Sequence, residues 1–218
     1  MEIFINDEEL SNVSFGNSTY QKKIIDQKAD ANWVCRLPHG PMKMLDRAWY
    51  DFEKGKGKYG KGYLRAEKDI TPDDWYFYAH FLGDPVMPGT IGIDGCYQCL
   101  GTTLLIMGCK GVARALAGKF EYTGQVLTSV KKTVYRMDIK RFFSKPSPLL
   151  IADVDYFKDD DKEPIYKLRD ARMGFFKEGE LERSPAYRPD WNKVKEKALA
   201  EIDASREYYL KNFGKEGY

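Results

Sequence analysis

Apolar and polar residues along this chain recur at two different periods, and the change of period divides it. Residues 63–70 alternate, with Tyr63, Arg65, Glu67 and Asp69 on one side and Leu64, Ala66 and Ile70 on the other, which predicts a strand. Residues 113–120, 132–142, 149–157 and 165–176 also read as strands. Turn signals separate them at Tyr122-Thr123-Gly124, Lys145-Pro146-Ser147-Pro148 and Lys158-Asp159-Asp160-Asp161-Lys162. Residues 90–107, by contrast, are small and apolar almost all round, the composition of a helix buried on every side. Thr71-Pro72-Asp73-Asp74 reads as a helix start, with Thr71 as N-cap and Pro72 at the first helical position, leading into Trp75-Tyr76-Phe77-Tyr78. Residues 80–89 hold two prolines and must form a shaped loop. One strand, a long buried helix and then four strands predict an α+β domain in which a sheet wraps a central helix.

The ends of the chain are patterned differently. Residues 1–36 are polar and weakly periodic and are expected to form an arm or short cap; the Pro/Gly cluster at residues 37–41 marks where denser structure begins. Trp191, Val194, Ala198, Ile202, Ser205, Tyr209 and Phe213 recur at steps of three and four. They define one face of an amphipathic helix, expected to pack as an accessory element on the main domain. The expected organisation is an arm over 1–36, a domain over 37–178 and a helical extension over 179–218.

Composition narrows the functional classes. Hydrophobic residues at 43% and charged residues at 31% allow a buried core and exclude a wholly disordered chain. With 35 Lys+Arg against 33 Asp+Glu, net charge does not drive nucleic-acid binding, and no aromatic-basic motif supports it. No apolar run reaches the roughly 18 residues of a membrane span, since Asp94 and Gln98 interrupt the longest. The acidic first residues lack the pattern of a signal peptide, and with four cysteines this predicts reduced thiols in the cytoplasm. Only His39 and His80 are available as imidazoles, which argues against a multi-histidine metal site.

The candidate chemistry gathers around the Pro-Gly loop. His80 stands at its start and is either a satisfied residue among aromatics or a general base near neutral pH. Asp94 falls in the first turns of the buried helix, either as an acid favoured by the helix N-terminus or as a desolvated carboxyl kept protonated to act as general acid. Gln98, one turn further on the same face, is placed to orient it. The Gly89 amide at the helix start is placed to hold an oxyanion. Base, acid and oxyanion donor are the parts that β-elimination of water from a 3-hydroxyacyl thioester requires.

His80-Phe81-Leu82-Gly83-Asp84-Pro85-Val86-Met87-Pro88-Gly89, followed by Gly92-Ile93-Asp94 and Gln98, strongly resembles the bacterial β-hydroxydecanoyl-acyl-carrier-protein dehydratase/isomerase family. Further matching stretches are Met44-Leu45-Asp46-Arg47, Arg114-Ala115-Leu116 and residues 120–127, and the resemblance extends over about residues 37 to 177. It implies the hot-dog fold, a curled antiparallel sheet around a long central helix, here with an added C-terminal helix. It also implies dehydration of a 3-hydroxyacyl chain on the phosphopantetheine of an acyl-carrier protein in fatty-acid biosynthesis, without metal or organic cofactor. His80 and Asp94 correspond to the family's catalytic pair, which different subunits of a homodimer contribute to each shared site. Aspartate rather than glutamate at position 94 favours the branch that also moves the double bond from trans-2 to cis-3.

Other features have plainer readings beside functional ones. Cys96-Tyr97-Gln98-Cys99 has redox or zinc spacing but lacks a second ligand pair, so its thiols are expected to be buried small hydrophobes. The lysine-glycine run at residues 54–62 reads as a solvated hairpin loop or as a docking site for an acidic carrier protein. Lys131, Lys132, Arg136, Lys140 and Arg141 are spaced as outward strand positions, either surface charge or a carrier-phosphate contact. Two alternative functions stay open: a hot-dog acyl-thioesterase, and a non-catalytic acyl-binding or dimer-partner subunit.

Overall fold

A computed structural model describes residues 2–17, 35–159, 161–177, 179–182 and 189–214 of the chain. Seven strands form one antiparallel sheet: β1 (Glu2–Ile5), β2 (Arg47–Asp51), β3 (Tyr63–Asp69), β4 (Val112–Tyr122), β5 (Lys132–Phe143), β6 (Leu149–Lys158) and β7 (Tyr166–Phe176). Their order across the sheet is β1-β2-β3-β5-β6-β7-β4. Among the described residues, four α-helices accompany the sheet: α1 (Asp7–Phe15), α2 (Trp75–Ala79), α3 (Gly89–Ile106) and α4 (Trp191–Phe213). The five strands expected from alternation are all present, and the sheet curls around α3 as a hot-dog fold, with α4 added beyond it.

Alternation sets which side of each strand meets the helix. Leu64 and Ala66 of β3, Tyr135 and Met137 of β5, and Ala152, Val154 and Tyr156 of β6 are buried in the core that holds α3. The helix presents glycine where the sheet presents tyrosine. A Cβ at Gly92 would lie 2.6 Å from the Tyr166 ring, and one at Gly95 would lie 2.1 Å from the Tyr135 hydroxyl. Missing side chains therefore let the rings reach the helix backbone. Tyr122, Tyr166, Tyr156 and Tyr135 form a continuous row there, with successive centroids 4.8, 4.9 and 4.7 Å apart.

Three expectations change. The N-terminal residues read as an arm contribute β1, paired with β2 from Glu2↔Asp51 to Ile5↔Ala48. They also contribute α1, whose Leu10 and Val13 enter the core. Asn6 caps α1 by accepting the Glu9 N–H at 3.0 Å, and Gly16 ends it in the left-handed region at φ 76°. Weak periodicity over so short a stretch concealed both elements; residues 18–34 of the expected arm lie outside the described residues. Secondly, Thr71 does not cap a helix. It begins a turn closed by the Asp74 N–H on the Thr71 carbonyl, and α2 starts only at Trp75. The Asp74 carboxylate instead accepts from the Thr71 N–H at 3.0 Å and the Tyr76 hydroxyl at 2.8 Å. Thirdly, α4 is not packed along its apolar face: Trp191 is 71% exposed, Val194 and Ile202 are exposed, and among the described residues only Ser205 and Tyr209 are half-buried. An amphipathic period reports that a face is apolar, not that this chain covers it. Among the described residues, no helix is long and apolar enough to cross a membrane.

Candidate active site

His80 ends α2, and its position is fixed by its own loop. Its backbone N–H donates to Tyr76 at 2.9 Å, and its carbonyl accepts from the Val86 N–H at 2.9 Å. Val86 and Met87 are tied in turn to the segment before β5, through the Val86↔Leu127 bridge and the Met87 N–H on the Val126 carbonyl. The His80 Nδ1 lies 2.9 Å from the Val86 carbonyl oxygen. A carbonyl only accepts, so Nδ1 carries the hydrogen and Nε2 is the basic nitrogen of the neutral ring. The ring lies beside that of Phe81, with centroids 3.8 Å apart.

Gly89 shares a cleft of about 300 Å³ with His80; Met87, Thr90, Tyr122 and Tyr166 also line it. Pro88 precedes α3 and makes no side-chain capping bond. The first N–H groups of an α-helix have no partner within the helix, and that of Gly89 opens α3 at this cleft. A Cβ at Gly89 would stand 2.7 Å from Tyr122, so glycine permits the close approach of that ring. Burial pushes the hydroxyls of Tyr122 and Tyr166 up, that of Tyr166 to about 12, so both remain protonated at neutral pH.

Asp94 and Gln98 are brought together as their spacing predicts. Gln98 Nε2 donates to the Asp94 carboxylate at 2.7 Å and to the Met42 carbonyl at 2.8 Å, while Gln98 Oε1 accepts from the Met44 N–H at 2.9 Å. The buried amide thus spends its donors and acceptor on fixed partners, and holds the acid in one orientation. Asp94 itself is half-buried rather than enclosed, at the edge of a second cavity of about 210 Å³. Leu37, Tyr97, Arg114 and Met173 are among its walls. Tyr97 is held by its hydroxyl, which donates to the Ala117 carbonyl at 2.8 Å where β4 shifts register. No described residue lines both cavities, so a single chain places His80 and Gly89 at one and Asp94 and Gln98 at the other.

The basic positions of β5 are largely committed within the chain. Lys132 lies 3.8 Å from Glu67, and Lys140 pairs with Asp170 at 2.6 Å and Asp153 at 3.3 Å. Arg136 stacks over Phe157 at 4.4 Å. The Lys131 N–H donates to Asp159 at 2.8 Å, and the Lys131 and Arg141 side chains are exposed. The lysine-glycine loop is pinned at its middle, where the Lys58 N–H donates to Asp138 at 2.7 Å and the Tyr59 hydroxyl to Asp153 at 2.6 Å. Cys96 and Cys99 are buried and their thiols are pushed well up by burial, in keeping with small hydrophobes.

Sequence reasoning missed Tyr122 and Tyr166 as walls of the cleft, Tyr97 as a wall of the Asp94 cavity, and the Val86 carbonyl that sets the His80 tautomer. Backbone groups leave no trace in residue types, and the three tyrosines read only as part of a turn (Tyr122), a strand (Tyr166) and a buried helix (Tyr97).

Residues 37–168, more than half of the chain, match the FabA-like domain. The chain therefore belongs to the FabA-like family. Among solved structures, the dehydratase heterocomplex ApeI:P from Xenorhabdus doucetiae is similar at a TM-score of 0.48 and 13% identity, over 66% of this chain and 90% of that one. AziG from S. sahachiroi aligns at 0.39 and 8% identity over 52% and 82% of the two chains. A mutant thioesterase from Pseudomonas aeruginosa aligns at 0.38 and 11% identity over 58% and 79%.

Proposed function

We propose that this protein is a cytoplasmic dehydratase of 3-hydroxyacyl thioesters, acting on chains carried by an acyl-carrier protein in fatty-acid biosynthesis, and that it works as a homodimer with shared sites. The observation that carries the reading is the hydrogen bond from His80 Nδ1 to the Val86 carbonyl, which reserves Nε2 as a base in the cleft that Gly89 lines. In this reading Nε2 removes the α-proton, and the Gly89 N–H holds the enolate oxygen of the thioester. Asp94 of the partner protomer protonates the β-hydroxyl, and the C–O bond breaks to release water and leave the trans-2-enoyl thioester. His80 then carries a proton between carbons in the trans-2 to cis-3 step that aspartate at 94 suggests. The separation of His80 and Asp94 into different cavities of one chain supports a site shared between chains. Arg136, Arg141 and the lysines of residues 54–62 are the proposed contacts for the acidic carrier.

The test is turnover of a series of 3-hydroxyacyl thioesters, with trans-2 and cis-3 products resolved. His80→Ala and Asp94→Asn are each expected to lower kcat by about 10²- to 10⁴-fold. Mixing the two inactive variants should return activity, because one site of each mixed dimer then holds both native groups. Near-native turnover by either single variant would overturn the assignment, and release of free thiol without dehydration would favour the thioesterase reading instead.

A further inference from the structure

The loop that carries His80 is closed at its base and held at its tip by a residue outside the FabA-like match. Phe81 and Asp84 exchange backbone hydrogen bonds at 2.9 and 3.0 Å, so residues 81–84 form a tight turn above the His80–Val86 pair. Gly83 takes φ 81° at the tip, a left-handed conformation that glycine tolerates at little cost. Its N–H donates to the hydroxyl of Tyr209 on α4 at 3.2 Å. Tyr209 is one of only two half-buried residues described on that helix, so this is where the helix meets the domain. Its side chain also helps line a cavity of about 550 Å³ with Phe77, Tyr78 and Pro85. Those neighbours belong to both legs of the loop: α2 runs directly into His80, and Pro85 precedes the carbonyl that binds Nδ1.

We infer that Tyr209 is a positioning residue for His80, acting through Gly83. The turn is short and hydrogen-bonded within itself, so displacement at its tip is passed to its base, where the His80 ring and the Val86 carbonyl face each other at 2.9 Å. The hydroxyl of Tyr209 fixes the tip from outside the loop and thereby steadies the imidazole. The extension beyond the family domain accordingly tunes the base. The inference rests on the reading of His80 as catalytic base, but its first readout does not require activity.

Tyr209→Phe removes the hydroxyl that accepts from Gly83 and keeps the ring. With two histidines in the chain, their imidazole resonances are assignable in the full-length protein with His39→Gln as reference. The expected result is that His80 signals shift or broaden in Tyr209→Phe while those of His39 do not move. Turnover of the thioester should fall about threefold to tenfold in kcat, with KM and Tm unchanged. Trp191→Ala, on the exposed part of the same helix, should leave both histidines as in the native protein. Superimposable His80 spectra for Tyr209→Phe and the native chain would overturn the inference, as would perturbation of both histidines together with a lowered Tm. A selective change at His80 in a protein without dehydratase activity would uphold the positioning and sink the proposed reaction alone.

Discussion

Glycines 92, 95 and 101 lie on one helix with the same propensity cost, yet their neighbours give them opposite roles. Gly95 faces the hydroxyl of Tyr135, itself fully buried between α3 and the sheet, so an added methyl has nowhere to go. Gly95→Ala is expected to destabilise the fold by about 1–3 kcal/mol through overpacking, which exceeds the gain of up to about 1 kcal/mol in helix propensity. At Gly101 a Cβ would meet Ala113 and Met173 at 3.8 and 3.9 Å, ordinary contact. Gly101→Ala should therefore stabilise by up to about 1 kcal/mol. Urea unfolding of the two variants beside the native chain checks both signs.

Strands β2 and β3 are joined on their outer surface by charge rather than by apolar packing. Arg47 donates to Glu67 at 2.6 Å and to both oxygens of Asp69 at 2.7 and 2.8 Å, and Arg65 also pairs with Glu67. Burial pushes the Glu67 carboxyl up, but the Arg47 bond and the Arg65 charge outweigh it, so it lies below the usual carboxylate range. The Arg47 bond holds Asp69 down as well. Groups with lowered folded values contribute stability that is complete above their unfolded values, about 4, and is lost as pH falls through the folded ones. Arg47→Met is thus expected to cost about 1.5–3 kcal/mol at neutral pH. The gap from the native protein should shrink below about pH 4, as the acids protonate and the guanidinium loses its partners. Urea midpoints between pH 7 and pH 3 measure it, and a gap that stays constant would contradict the assignment.

At the scale of the molecule, β4 is an end of the sheet, and its outer edge pairs with no described strand. Leu116 and Phe120 on it are 52% and 59% exposed, and Tyr122, which also walls the His80 cleft, is exposed too. An unblocked edge with large apolar side chains invites a second chain, and Arg114 and Ala115 of the same strand wall the Asp94 cavity. Pairing across β4 is expected to bring the two half-sites of different chains together. In the dimeric dehydratase proposed above, Phe120→Lys should shift the species seen by light scattering from dimer to monomer and remove turnover in parallel. A fully active monomer would refute the shared site.

Much of this architecture was legible beforehand, because alternation and all-round apolarity report burial directly. The core strands and α3 follow from those patterns, and His80, Gly89, Asp94 and Gln98 stand out through residue type and spacing. Local spacing also sufficed for the Asp94–Gln98 pair, since residues four apart share a helix face whatever surrounds them. What lay beyond reach depends on contacts remote in sequence. The incorporation of β1 and α1, the tying of Gln98 to Met42 and Met44, the Val86 carbonyl on His80 and the Gly83–Tyr209 contact all join separate segments, often through backbone atoms. The chain by itself determined that His80, Gly89, Asp94 and Gln98 are present at these spacings. Only the tertiary structure decided that one chain holds them in two separate cavities, because cavity walls are made by whichever strands and helices the fold brings alongside.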